Sequence, residues 1–260
     1  MDYNPAEELI KIYEQTLVDK NNSEHRDYKV FHPSSWGACV RKTAFQYLNY
    51  PNNDTLEPRV LRIFDTGRSL EDRVRGFMIE NNIIYGKWKC LLCGHVAGED
   101  EDIGILKPDR CHGCQKENSN ESPILKYEEI TLSSEEYNFR GSCDGIIVVN
   151  DEKHVLEIKS INENNFSNYL IKPKTEHYIQ INIYMWLSGV PRGIIYYENK
   201  NDQSLKLFNV DVDFALIEQI KKQAVSLIKI LSKGEVPEIP SSKNRQCYAC
   251  RYCGYKNNCW

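Results

Sequence analysis

The stretch "GSCDGIIVVNDEKHVLEIKSI", Gly141 to Ile161, decides the fold. Two apolar runs flank a polar pair, Asn150-Asp151, which suits a two-residue hairpin turn. With that turn Asp144 lies directly opposite Glu157; a turn two residues longer leaves them diagonal but on one face. Lys159 shares the face, and Leu156 and Ile158 point the other way, into a core. Two close carboxylates raise each other's pKa, and a divalent cation relieves the conflict. Mg²⁺ takes one or two protein carboxylates and keeps waters and phosphate oxygens. It activates water and stabilises charge developing at phosphorus, and a nearby lysine holds the water or the phosphate. The same three residues also fit an Asp/Glu/Lys salt-bridge patch on a solvated sheet face.

Outward from the hairpin, residues 4–20 read as an amphipathic helix with Leu9, Ile10, Ile12, Tyr13 and Leu17 on one side. Ser34 or Ser35 is placed to cap a helix carrying "ACVRKTAFQYLNY", which ends before Pro51. "LRIFDTGRSLEDRVRGFMIENN" contains a long helix, and "IIYGKWK" reads as strand. A meander of strands covers "ILKYEEITLSSEEYNFRGSCDGIIVVNDEKHVLEIKSI", the hairpin included. "TEHYIQINIYMWLSG" is a helix ending at Gly189, a second hairpin turns near Asn201-Asp202, and residues 213–233 form a last long helix. Helices alternating with strands predict an α/β core with a mixed sheet.

The ordered residues add chemistry. "GSCD" followed by "EIK" has the form G-x-x-D…E-x-K, and Gln180-x-x-x-Tyr184 puts two polar side chains on one helix face. Gly67-x-x-x-Glu71 precedes them. This set resembles the PD-(D/E)xK nuclease superfamily, in its Cas4-, RecB- and AddB-like branch, over roughly residues 35–200. The resemblance implies a restriction-endonuclease-like core. It implies that Asp144 and Glu157 bind Mg²⁺ or Mn²⁺, that Glu71 is a further ligand where many members carry His, and that Lys159 assists catalysis. By the same resemblance the Ile158 backbone carbonyl joins the metal shell, and Gln180 and Tyr184 position DNA and the reacting groups.

Ten cysteines require a reading. In a reducing compartment they are not disulfides. Cys143, inside an apolar strand, reads as a small buried thiol. Cys90, Cys93, Cys111 and Cys114 form C-x2-C-x17-C-x2-C, the spacing of a four-cysteine zinc ribbon. They define an inserted Zn²⁺ module over residues 88–122, with His95 and His112 as bystanders. The module's acidic "GEDEDIG" fits a structural role or a protein contact at least as well as DNA. In the tail, Cys250-x2-Cys253-x5-Cys259 brings three thiolates to one cluster, with Cys247 or a distant residue as fourth. Cas4-like and AddB-like nucleases place one cysteine before the nuclease motifs and such a group after them. The resemblance therefore implies a [4Fe–4S] cluster on Cys39, Cys250, Cys253 and Cys259, pinning the tail to the N-terminal helix. Cys247 departs from the pattern, and a zinc site built by the tail alone is the competing reading. Joining residues about 210 apart closes a long loop, which suits a structural role.

The expected organisation is an N-terminal helical part of the nuclease domain (1–87), the zinc module (88–122), the nuclease core (123–240) and the cysteine-rich tail (241–260). Hydrophobic residues at 41% and charged residues at 27% describe a soluble globular chain. No apolar run approaches a membrane span, so no membrane partner is expected. "MDYNPAEELIKIYEQ" has neither the basic start nor the apolar core of a signal peptide. The expected location is the cytoplasm, or a host cytoplasm for a viral protein. A net charge of −4 argues against a basic nucleic-acid coat but not against a local basic groove. Candidates for that groove are Arg41, Lys42, Arg59, Arg62, Arg68, Arg73, Arg75, Lys172, Lys174 and Lys200, with Trp36, Tyr196 and Tyr197 as stacking aromatics.

These features predict a metal-dependent (exo)deoxyribonuclease acting on DNA ends or single strands in recombination, repair, or viral or mobile-element replication. No helicase motif is seen in the 260 residues, so a helicase or recombination protein would be a separate chain. The alternatives are an inactive nuclease-like DNA-binding or scaffold subunit, and a metal-cluster interaction module whose hairpin charges are surface salt bridges.

Overall fold

The computed structural model describes residues 4–23, 26–52, 56–119, 124–166, 170–239 and 244–260. Helix α1 spans Pro5–Ser23, α2 Pro33–Trp36, α3 Val40–Tyr47 and α4 Pro58–Glu80. Strands β1 (Ile84–Tyr85), β2 (Lys87–Cys90), β3 (Val96–Ala97), β4 (Leu125–Glu128), β5 (Thr131–Ser134), β6 (Phe139–Ser142), β7 (Gly145–Val149) and β8 (Glu152–Ile161) follow. Then come α5 (Glu163–Phe166), α6 (Thr175–Ser188), β9 (Arg192–Asn199), β10 (Leu205–Asp211), α7 (Phe214–Leu231), α8 (Tyr248–Arg251) and α9 (Lys256–Cys259).

The central sheet has the order β1-β7-β8-β9-β10. Within this sheet β8 and β9 pair in parallel and the other described pairs are antiparallel; the chain between β8 and β9 crosses over through α5 and α6. The hairpin pairs Val149 with Glu152, so Asn150-Asp151 is the turn, with φ of 51° and 62°. Two consecutive positive φ values define the type I′ turn whose twist matches antiparallel strands. The ladder pairs Gly145 with Leu156, and one step further along the same register Asp144 stands opposite Glu157.

Helices cover both faces at the centre of this sheet, where Ile146, Ile147, Val155, Leu156 and Ile158 are buried. On one face Leu70, Val74 and Met78 of α4 pack against Ile84, Ile147, Leu156 and Ile158. On the other, Ile181, Tyr184 and Met185 of α6 pack against Ile146, Val155, Ile195 and Tyr197. A third layer forms behind α6, where Ile183 meets Ile220, Ala224 and Leu227 of α7, with Phe31 and Phe139. Helix α6 is thus apolar nearly all round because it lies between a sheet and a helix. It stops at Gly189, whose φ of 69° is the left-handed cap a glycine adopts freely. Asp213 caps α7 by accepting the Leu216 N–H at 2.9 Å.

Three local expectations change. Ser34 and Ser35 do not cap the long helix: they sit inside α2, which begins on Pro33, and Cys39 occupies the N-cap position of α3 without a side-chain cap. The apolar side of α1 is not a buried face. Leu17 is buried, but Leu9 is 67% exposed. The helix meets α4 through polar contacts, Arg62 with Glu14 at 2.5 Å and Tyr13 with Asp65 at 3.5 Å. The strands before the hairpin do not form one meander. β4 pairs with β2 and joins β3 in a separate sheet, while β5 and β6 pair with each other. The cysteine-bearing sheet therefore continues past residue 122 to Glu128.

Candidate active site and cysteine clusters

Alternation along β8 sends Val155, Glu157 and Lys159 toward α6 while Leu156 and Ile158 face α4. Glu157 is fully buried. Its polar partner among the described residues is the Lys159 ammonium, which forms an ion pair with Oε1. Asp144 accepts the Ile158 N–H at Oδ2, 2.6 Å away. The alternative of a salt-bridge patch on a solvated face does not hold, because α6 covers that face.

The electrostatics follow from this burial. Glu157 is pushed up to about 8 by desolvation and then by the Asp144 charge. Asp144 is raised by desolvation, against the pull of Lys159 and the Ile158 N–H. Desolvation disfavours the Lys159 ammonium, but Glu157 and Asp144 outweigh it and raise its pKa. Glu71 on α4 is raised to about 7, by burial first and the Asp144 charge second. It stands one turn after Gly67, where α4 runs close to β8: a Cβ there would lie 3.4 Å from Ser160 Oγ. Three carboxylates thus share one region with a single buried ammonium. Repulsion of this kind is relieved by a proton or by a cation. Carboxylate oxygens gathered in one buried region are hard donors, the kind that suits Mg²⁺ or Mn²⁺.

Gln180 and Tyr184 line the α6 side of the same region. Both are buried, and Gln180 hydrogen-bonds the phenol. Burial first, then Glu157, raises the Tyr184 pKa, so the phenol stays a donor. Glu71, Asp144, Glu157, Lys159, Gln180 and Tyr184 are therefore brought together, although they come from three elements and one short link.

Other residues were not legible as site members. Arg75, expected among DNA-facing cations, is only 12% exposed and is held by Asp72 at 3.0 Å and Glu129 at 2.7 Å. It lies one helical turn after Glu71, a spacing that places it on the same face. Glu129 has no sequence signal, since its neighbours in space come from other strands. His177, one turn before Gln180, places Nδ1 2.7 Å from Tyr197 Oη. Burial and then the Lys159 charge lower its pKa to about 4, so it is neutral at neutral pH.

The stacking aromatics are corrected in part. Tyr197 is completely buried, and Trp36 packs its ring on Phe31 and Phe139, at 5.1 and 4.7 Å between centroids. Tyr196 donates to Glu198, which also holds Arg73 at 2.5 Å. Lys200 lies near Glu71 and donates to the Ile63 carbonyl at 3.4 Å.

The sulfur atoms of Cys90, Cys93, Cys111 and Cys114 all lie within 4.8 Å of one another. Cys90 and Cys114 are 3.8 Å apart, and Cys93 and Cys111 are 3.6 Å apart. A tetrahedral zinc with Zn–S of about 2.3 Å requires sulfur separations of roughly 3.8 Å. The Cys111 sulfur also accepts the N–H groups of Gly113 and Cys114, at 3.3 and 3.5 Å. These donors favour the thiolate and lower the Cys111 pKa to about 6, Cys114 N–H contributing most. The donor set fits a thiolate-bound metal.

In the tail, Cys39, Cys250, Cys253 and Cys259 line one cavity of about 160 Å³. Arg41 Nε donates to Cys259 Sγ at 3.1 Å, and the rings of Phe45 and Tyr255 stack at 5.5 Å, so the tail rests on α3. Cys247 also belongs to this group electrostatically: its hydrogen bond is the first cause raising Cys250 to about 11.

The fold and site define a mixed α/β protein with a central five-stranded sheet flanked by helices, a carboxylate–lysine cluster within it and a four-cysteine sheet beside it. No family model and no curated protein matches the chain. Among solved structures it is similar to SSO0001, at 16% identity and a TM-score of 0.50, over 96% of this chain and 95% of that one. It is also similar to the alkaline exonuclease LHK-Exo from Laribacter hongkongensis, at 16% identity and a TM-score of 0.48, over 79% and 89% of the two chains. The complex of LHK-Exo with dAMP matches at 15% identity and a TM-score of 0.46, over the same shares. The likeness to SSO0001 is one of fold. Among the described residues no helix is long and apolar enough to cross a membrane.

Proposed function

We propose that the protein is a divalent-metal-dependent deoxyribonuclease acting on DNA ends or single strands. The observation that carries this reading is Glu157: a fully buried carboxylate beside Asp144, whose one ion-pair partner among the described residues is the Lys159 ammonium. A carboxyl buried this deeply is costly to ionise, and a strongly raised pKa beside specific charged partners marks a candidate functional group. The PD-(D/E)xK resemblance of the same residues supports DNA as the substrate.

Asp144, Glu157, the Ile158 carbonyl and Glu71 would hold Mg²⁺ or Mn²⁺, which when bound supplies Lewis-acid stabilisation and a more acidic water. Lys159 keeps its proton and orients the attacking water or a phosphate oxygen. Tyr184, also protonated, donates toward the scissile region, and Gln180 holds the phenol. Zn²⁺ on the four module cysteines and a [4Fe–4S] cluster on Cys39, Cys250, Cys253 and Cys259 complete the reading. The shared cavity supports the cluster, with Cys247 close enough to compete. The cellular setting proposed is cytoplasmic recombination, repair or mobile-element replication, with any helicase on another chain.

The test is digestion of end-labelled single-stranded DNA by anaerobically purified protein with Mg²⁺ or Mn²⁺. Metal-dependent shortening is expected, reduced at least about 100-fold in Lys159→Ala. No cleavage of single strands, duplexes or tailed duplexes by folded protein would overturn the reading in favour of an inactive scaffold.

A further inference from the structure

The four-cysteine sheet lies against the catalytic hairpin, and Arg75 spans the two. Its guanidinium reaches three acceptors: Asp72 Oδ1 at 3.0 Å, Glu129 Oε1 at 2.7 Å and the Asp144 backbone carbonyl at 3.4 Å. Its Cζ lies over the Tyr127 ring, 5.7 Å from the centre. Tyr127 and Glu129 belong to β4 and its continuation. Tyr127 pairs across the ladder with Trp88, their rings 5.4 Å apart, and two residues on Cys90 pairs with Leu125. A continuous line of contacts therefore runs from Cys90 through Trp88 and Tyr127 to Arg75 and Asp144.

Asp144 needs such a hold. Strand β6 ends at Ser142 and β7 begins at Gly145, in different sheets. Cys143 and Asp144 form the link between them, outside both ladders. The Asp144 carbonyl accepts from Arg75 Nε at 3.4 Å, a contact that ties this link's backbone to α4. The other end of the line rests on short strands, two to four residues each. A sheet this small depends on its metal for order.

We propose that Arg75 is a positioning residue through which the metal-held four-cysteine sheet fixes Asp144. The sheet is then more than an appended module: its order sets the geometry of the catalytic aspartate. The planar fork of arginine is required, because lysine cannot reach three separated acceptors while lying on a ring. Its effect on cleavage rests on the nuclease reading; the positioning of Asp144 does not.

The test is hydrogen exchange of peptides covering residues 141–149, without added Mg²⁺ or Mn²⁺, followed by Mn²⁺ titration of the same proteins. Arg75→Gln removes the fork. Tyr127→Leu removes the ring but leaves the cysteines, and Cys93→Ser releases the module's metal. Exchange at 141–149 is expected to rise about tenfold in each, and the Mn²⁺ dissociation constant by about tenfold, the usual scale for an outer-shell partner. Arg75→Gln combined with Cys93→Ser should go no further than either alone, since both break one line. Arg75→Lys should recover little. In cleavage, kcat falls while KM for DNA stays. Exchange that rises only in peptides 87–128 after Cys93→Ser, or effects that add in the double variant, would overturn the proposal. Wild-type protein that binds no Mn²⁺ would sink the nuclease reading and leave the exchange result to decide this one.

Discussion

Glu157→Gln should make the metal-free protein more stable at alkaline pH while abolishing its use. Glu157 titrates at about 8 in the fold, raised by desolvation and Asp144 from an ordinary value of 4.5. The native state therefore binds more protons than the unfolded chain between these values. A raised carboxylate stabilises fully below 4.5, and that contribution is lost as pH rises through about 8. At 1.36 kcal/mol per unit, the loss between pH 6 and 8 is about 2 kcal/mol, allowing for half-titration at the upper end. Glutamine keeps the shape and cannot titrate. Urea unfolding at pH 6 and pH 8, in buffer stripped of Mg²⁺ and Mn²⁺, measures the difference. The gap between variant and wild type should shift by about 2 kcal/mol toward the variant over that range. Added Mn²⁺ should then raise the wild-type midpoint and leave the variant unmoved. Parallel pH profiles, or equal stabilisation of both proteins by Mn²⁺, would refute the reasoning from a buried carboxylate with a raised pKa.

Tyr184→Phe removes a buried phenol and should slow cleavage at least tenfold, with a stability change of only about 1 kcal/mol in urea unfolding. Metal analysis should find zinc bound by wild type and lost in Cys90→Ser, whose melting temperature falls. Anaerobically purified protein should carry about four irons per chain and a broad visible absorbance, both lost in Cys259→Ser. Asp213→Ala deletes the α7 cap and should cost about 1 kcal/mol without changing cleavage.

Much of the fold was legible because periodicity and turn chemistry are local. Asn150-Asp151 fixes a type I′ turn by itself, and period-two alternation then puts Asp144, Glu157 and Lys159 on one side. Gly189 marks the end of α6, and the C-x2-C-x17-C-x2-C spacing announces the group of Cys90, Cys93, Cys111 and Cys114. Errors arose where an apolar pattern met an unknown partner. Leu9 and Ile10 have the right periodicity for burial in α1, yet burial needs a facing surface, and α1 meets α4 through Tyr13–Asp65 and Glu14–Arg62. The strands from β4 to β6 have ordinary strand composition, and composition does not say which sheet a strand joins.

The sequence by itself determined which residues share a face: the carboxylate pair with its lysine, the Gln180–Tyr184 turn of helix, the two cysteine pairs. These follow from backbone repeats of two and 3.6 residues, which need no tertiary information. Only the tertiary structure decided what those faces meet. It covers Glu157 with α6, which turns a possible surface ion pair into a buried one. It also moves Arg75 from the solvent to a bridge between Glu129 and Asp144. Burial depends on residues far apart in the chain, and burial sets the electrostatics, because the cost of a charge depends on how much water remains around it.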